Sequence, residues 1–291
     1  MPTPALYLAT ILIWGSTWLA IRYQLGVVPI AWSVSYRFFI AALLFGVVAL
    51  ILRRSLRFSA WAHGLFLGLG FFLYCANYLF TYAGSQYLVT GVVAVVFSLI
   101  PLGNALWGRA VLATRVSRQV WLGAALGLSG LSLIFWPQLA GLDLGNQRLW
   151  GLFLVLVGVT LASTGNMVAA LRQRRGLPLI ASNFWAMLYG AGLTALYAVI
   201  SGAPPAFDFS APYILSLLYL GVFGSALAFA AYITLIERIG LAPAGYALVI
   251  TPIVALGLST LFEGYRWSGL AALGVGLTLA GNLAMLRWKK P

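Results

Sequence analysis

The chain has 291 residues, 63% hydrophobic and only 7% charged, against roughly a quarter charged in an ordinary soluble domain. A surface so poor in charge cannot face water, which excludes a soluble fold and makes lipid the expected solvent. The formal net charge of +13 does not point to nucleic acid, because the Lys and Arg residues form small clusters between apolar runs instead of one basic face.

A helix that crosses a bilayer needs roughly 20 mostly apolar residues. Such runs are predicted over 3–22, 32–52, 60–85, 88–112, 117–136, 148–170, 179–201, 211–235, 243–262 and 267–287, giving an all-α membrane protein of ten spans. Helices are required because backbone groups in hydrocarbon must be satisfied within the segment. The first 15 residues lack a basic n-region, so the first run reads as a retained span and not a cleaved signal.

In chain order, the first span carries Trp14 and Trp18 at i, i+4. The second holds Arg37 well inside its apolar stretch. The third places Tyr74, Asn77, Tyr78 and Tyr82 at i, i+3, i+4 and i+8, one helical face, and also the single cysteine, Cys75, which excludes an internal disulfide. The fourth is interrupted by Pro101. In the sixth, Ser163, Asn166 and Ala170 share a stripe; the seventh opens with Asn183 and Trp185; the ninth contains Tyr246 and Pro252 and is followed by Glu263. Gly64 with Gly68, and Gly123 with Gly127, have the small-xxx-small spacing that lets helices pack closely within one chain.

With the N-terminus inside, Arg53, Arg54, Arg57, Arg109, Arg115, Arg118, Arg172, Arg174, Arg175, Arg238, Arg287, Lys289 and Lys290 collect on the cytoplasmic side. Only Arg22, Arg148 and Arg266 fall opposite. The positive-inside rule therefore predicts both termini in the cytoplasm.

An internal repeat runs through the chain. Arg115-x-Ser117, Gly123 and Gly130 recur 151 residues later as Arg266-x-Ser268, Gly274 and Gly281; Pro101 and Pro252 share that offset, and Pro29 matches Pro178 at 149. The predicted units are 1–140 and 141–291, five spans each. An odd number of spans inverts the second unit, which is the symmetry of transporters that alternate access to a central site.

Trp14-Gly15-Ser16 with Ala20 and Arg22, then Pro29 and Tyr36-Arg37-Phe38, resemble the EamA-type drug/metabolite transporter superfamily. The resemblance continues through Leu248 to Pro252, Glu263, Gly274 and Gly281. It departs at Leu112, the first-unit counterpart of Glu263. Within the superfamily the chain is most similar to bacterial inner-membrane exporters of aromatic amino acids. That similarity implies an inner-membrane location, and a central cavity lined by the first four spans of each unit.

On this reading the substrate is met by Trp14, Trp18, Arg37, Tyr74, Asn77, Tyr78, Tyr82, Asn166, Asn183, Trp185 and Tyr246. Aromatic rings enclose a flat side chain and amides supply polar contacts. The same rings would also suit an interfacial belt, and the amides would equally join helices to one another. Arg37 has two open roles: contact with a substrate carboxylate, or an ion pair with Glu263. Pro101 and Pro252 each remove a mid-span hydrogen bond and are expected to act as symmetric hinges.

One His, one Cys and four scattered acids supply no acid/base pair, nucleophile triad or metal set, so no enzyme, cofactor or metal is expected. Because the acids fall at span ends, no intramembrane proton relay is expected either. The expected partners are a small-molecule substrate, chiefly aromatic amino acids, and the bilayer, with the protein a monomer.

Overall fold

The computed structural model describes residues 2–112, 118–136, 146–239 and 241–286, and among them no strand occurs. The helices are α1 (Thr3–Arg22), α2 (Ile30–Ile51), α3 (Ala60–Ser85), α4 (Thr90–Phe97), α5 (Ile100–Leu112), α6 (Arg118–Ile134), α7 (Gln147–Arg174) and α8 (Leu179–Ile200). Then come α9 (Ala211–Leu218, continuing through Tyr219–Leu227 and Ala228–Ile239), α10 (Leu241–Phe262) and α11 (Gly269–Leu286). Arg115, Ser117, Asp143, Arg287, Lys289 and Lys290, used above for orientation, the repeat and the distribution of acids, lie outside the described residues.

Seven segments are long and apolar enough to cross a membrane: Thr3–Arg22, Ile30–Ile51, Ala60–Ser85, Thr90–Val111, Gln147–Arg174, Leu179–Ile200 and Ala211–Tyr232. Shorter apolar helices occupy Ile250–Phe262 and Gly269–Ala284. The protein is a multi-pass membrane protein.

Local chemistry sets the helix ends. Ser59 accepts from the Ala62 N–H at 3.3 Å and Asn146 from the Arg148 N–H at 2.9 Å, each occupying an otherwise orphaned donor of a first turn. Gly176 (φ 68°) and Gly202 (φ 73°) follow α7 and α8 in the left-handed conformation that side chains disfavour.

The centre is built where α2 crosses α8. Ser35 donates to the Ala191 carbonyl at 2.9 Å, and the Phe184 ring covers Gly46. α6 packs on α11 through paired glycines: a Cβ on Gly130 would strike the Gly274 carbonyl oxygen, one on Gly274 the Gly130 oxygen, and one on Gly281 would sit 2.5 Å from the Gly123 oxygen. The glycine face at Gly123 is thus used within the chain.

Two departures from regular α-helix stand out. Gly70–Ala76 of α3 and Tyr219–Leu227 of α9 are π-helical, with i→i+5 bonding. Their ends, Ala76 and Leu227, are again 151 residues apart.

The prolines differ from expectation. Pro101 lies just after a break at Ser98 and Leu99 that divides α4 from α5, whereas α10 runs on through Pro252. Around Pro101, Leu99 N–H turns back to the Val96 carbonyl at 3.1 Å and the Ser98 hydroxyl takes the Val95 carbonyl. The chain thereby leaves α geometry before a residue that has no N–H to give. In α10 the Thr251 hydroxyl reaches the Ala247 carbonyl at 2.9 Å and the helix stays whole. The expected symmetry of the two kinks is not what the structure has.

Candidate functional site

Arg37 is the centre of the site. It sits on the α2 face toward α3 and α9, is 3% exposed, and lies against Phe38 and Tyr82 of the cluster that also includes Tyr74 and Leu220. Its Nε donates to the Ser225 hydroxyl and its Nη1 to the Tyr82 hydroxyl, both at 3.3 Å. The guanidinium lies 4.6 Å from the centre of the Tyr78 ring. Such a cation–π contact is worth up to about 2 kcal/mol when desolvated. It falls short of the several kcal/mol that removing an ion from water costs.

The expected pairing of Arg37 with Glu263 is not formed. Glu263 is engaged by Arg22, Nη1 to Oε1 at 3.1 Å, and among the described residues no carboxylate pairs with Arg37. The reason is placement: Glu263 follows the end of α10 beside the end of α1, while Arg37 is turned inward onto Tyr78, Tyr82 and Ser225.

The tyrosine face of α3 is largely as expected. Tyr74 and Tyr78 both meet the Phe38 ring, at 5.1 and 4.7 Å, and Tyr78 meets Tyr82 at 6.2 Å. Tyr74 also donates to Asn183 Oδ1 at 3.3 Å, which brings α8 to the same cluster. Asn77 does not join it. Its Nδ2 donates to the Leu73 carbonyl, its Oδ1 accepts from Thr81, and it lies against Gly158 of α7.

Trp14 reaches the site through the second π segment. Its indole N–H donates to the Gly224 carbonyl at 3.2 Å, next to Ser225, and its ring meets Phe229 and Tyr232. A Cβ on Gly224 would fall 2.6 Å from the Thr17 methyl, so a glycine here lets α1 and α9 close on Arg37. Trp18 packs on Phe97 at 4.8 Å, directly before the break in the fourth span.

Two further expected residues stand elsewhere. Trp185 donates to the Leu56 carbonyl at 3.0 Å and packs with His63 and Tyr189, tying α8 to the segment before α3. Asn166 donates to Asn104 of α5 at 3.3 Å. The Tyr246 side chain lies outside the described residues.

Sequence reasoning missed Ser225 and Asn104. Ser225 is one small polar residue in an apolar run, and only the π turn aims it at Arg37. Asn104 lies just beyond Pro101 and is exposed on the α5 surface, where an amide facing lipid alone would be costly.

A family model of EamA-like transporters matches the chain twice, over residues 2–136 and 149–287. The chain belongs to the EamA-like transporter family. It is a membrane transporter by that membership, and the drug/metabolite transporter resemblance read from the sequence holds. The uncharacterized inner membrane transporter YedA of Escherichia coli (strain K12) is 28% identical over 92% of this chain and 85% of its own length. The uncharacterized transporter YoaV of Bacillus subtilis (strain 168) is 26% identical over 84% of this chain and 83% of its own. An uncharacterized transporter of Archaeoglobus fulgidus is 25% identical, with 96% of both chains covered. A solved crystal structure shares the fold, with a TM-score of 0.69 and 18% identity over 97% of this chain and 96% of that one.

In this family's frame the site is a buried cation with an aromatic wall. Arg37 offers charge-assisted donors to an anion, Tyr78 and Tyr82 flank it, and Trp14 anchors the neighbouring helix.

Proposed function

We propose that the protein exports aromatic amino acids and related mainly apolar, carboxylate-bearing metabolites, moving them through a central cavity by alternating access. The observation that carries this reading is Arg37, a guanidinium buried among tyrosines with no carboxylate partner among the described residues. A substrate carboxylate would supply the missing counter-charge, and its apolar ring would meet Tyr78, Tyr82 and Phe38.

The rest of the reading is architectural. Ten spans divide into two inverted units of five, over 1–140 and 141–291, in an inner (plasma) membrane with both termini cytoplasmic and the Arg22 end of α1 outward. The double family match and the crossed glycine pairs, Gly130 with Gly274 and Gly123 with Gly281, support inversion. In antiparallel helices related by a twofold axis, each position meets the counterpart of the other. Use of that glycine face inside the chain also supports a monomer.

The test is counterflow of a labelled amino-acid panel in proteoliposomes, with and without a pH gradient. Saturable exchange of phenylalanine, tyrosine or tryptophan without a proton requirement is the expected result. Strict dependence on protons, or exchange confined to solutes without a carboxylate, would remove it.

A further inference from the structure

Glu263 has a side chain only 1% exposed, and groups from three helices hold it. Arg22 at the end of α1 pairs with Oε1. The Thr90 N–H at 3.0 Å, the Thr90 hydroxyl at 2.6 Å and the Ser259 hydroxyl all donate to Oε2. The Gly91 N–H donates in turn to Ser259 Oγ at 2.8 Å, and a Cβ on Gly91 would lie 2.8 Å from the Leu256 Cα. The first turn of α4 therefore rests directly on the last turns of α10, with a carboxylate from one helix capping the amino end of another.

The repeat-related helix ends carry different residues. The repeat places Leu112 opposite Glu263 and Gly108 opposite Ser259, while Gly15 to Arg22 align with Gly165 to Arg172 at an offset of 150. Arg172 is buried like a pairing residue. Yet its Nη1 donates to the Leu177 carbonyl at 2.9 Å and its Nε has no partner among the described residues. The basic residue recurs at both ends, and the counterpart of Glu263 is not acidic.

We propose that Glu263, Thr90, Ser259 and Arg22 form a latch over one mouth of the transporter, undone each time that mouth opens. Among the described residues the mouth at the Arg172 end has no such latch, so the unloaded protein rests with the Arg22 end shut. This rests on the alternating-access reading. The latch draws most of its strength from the desolvated bonds of Thr90 and Ser259 to the carboxylate, because charge-assisted bonds are the strong ones. Arg22 is 54% exposed, and an ion pair open to solvent adds little.

The reporter is a cysteine replacing Leu256, which is buried under the latch against Gly91. The Leu256→Cys, Cys75→Ala protein is purified and reconstituted in nanodiscs, where a bulky polar thiol reagent reaches both faces. Labelling should be slow, and at least about tenfold faster with Glu263→Gln or Thr90→Val but less than about threefold faster with Arg22→Met. Native Cys75, buried in α3 and left alone in parallel variants, reports general loosening and should stay unlabelled.

Thr90→Val keeps the carboxylate and decides the matter if Glu263→Gln does not fold. Unchanged labelling of Leu256→Cys in either folded variant, or equal acceleration at Cys75, overturns the latch. The readout needs no solute. Faster labelling in a protein that exchanges nothing would leave the latch standing and remove the transport mechanism.

Discussion

The guanidinium of Arg37 and the ring of Tyr78 lie 4.6 Å apart in a pocket closed by Tyr82 and Ser225. The contact keeps a permanent cation in place without neutralising it. On the proposed reading the substrate supplies the counter-charge.

Replacing Arg37 with Met should remove selectivity for carboxylates. Losing one partner of a buried charge pair costs about 2–5 kcal/mol, so exchange of phenylalanine should fall by roughly 30-fold or more. Exchange of its decarboxylated amine should not fall with it. Counterflow of both solutes on one proteoliposome preparation checks this.

The glycine pairs between α6 and α11 leave no room for a side chain. Gly130→Val and Gly274→Val should each destabilise the protein by about 1–3 kcal/mol or more. The double variant should cost less than the two added together, because both changes strain one contact. Gly257→Ala, which meets nothing within 4 Å, serves as the control, and thermal unfolding in detergent reads all four.

Pro101 and Pro252 should now behave differently. Pro101→Ala invites α4 and α5 to merge, so turnover should drop with little change in half-saturation. Pro252→Ala acts on a helix already continuous and should have the smaller effect. Equal turnover in both variants and the parent would dismiss the fourth-span break as a moving part.

Trp14→Phe keeps an aromatic ring against Phe229 and Tyr232 but loses the bond to the Gly224 carbonyl, worth about 1 kcal/mol. Its expected signature is a modest fall in unfolding temperature with substrate affinity lowered. Gly224→Ala should be worse, because the new methyl would strike Thr17.

Membrane residence was legible because apolar runs of the right length have few other physical explanations. Seven of the expected runs coincide with helices long and apolar enough to span, and the other three expected runs also fold as helix. That Arg37 would be held by other side chains was legible for the same reason, since a charge within such a run needs partners. Its surroundings were not. Arg22 takes the carboxylate because α10, which Glu263 follows, packs on α1 and not on α2, and a list of spans does not show which helices touch. Asn77 fell on the tyrosine face by count, but the π turn before it altered the register and gave it to α7. Periodicity arguments assume a uniform helix, and α3 and α9 are not uniform.

Those two π segments carry a historical implication. A π turn accommodates an additional residue within a continuous helix, and the two stretches that the family model matches hold theirs at matching positions. An insertion made once, before the sequence was duplicated, accounts for both more simply than two later events. Restoring ordinary winding would then require a single-residue deletion in each segment, and shortening only the one in α3 would rotate Tyr78 and Tyr82 away from Arg37 while leaving Ser225 facing it.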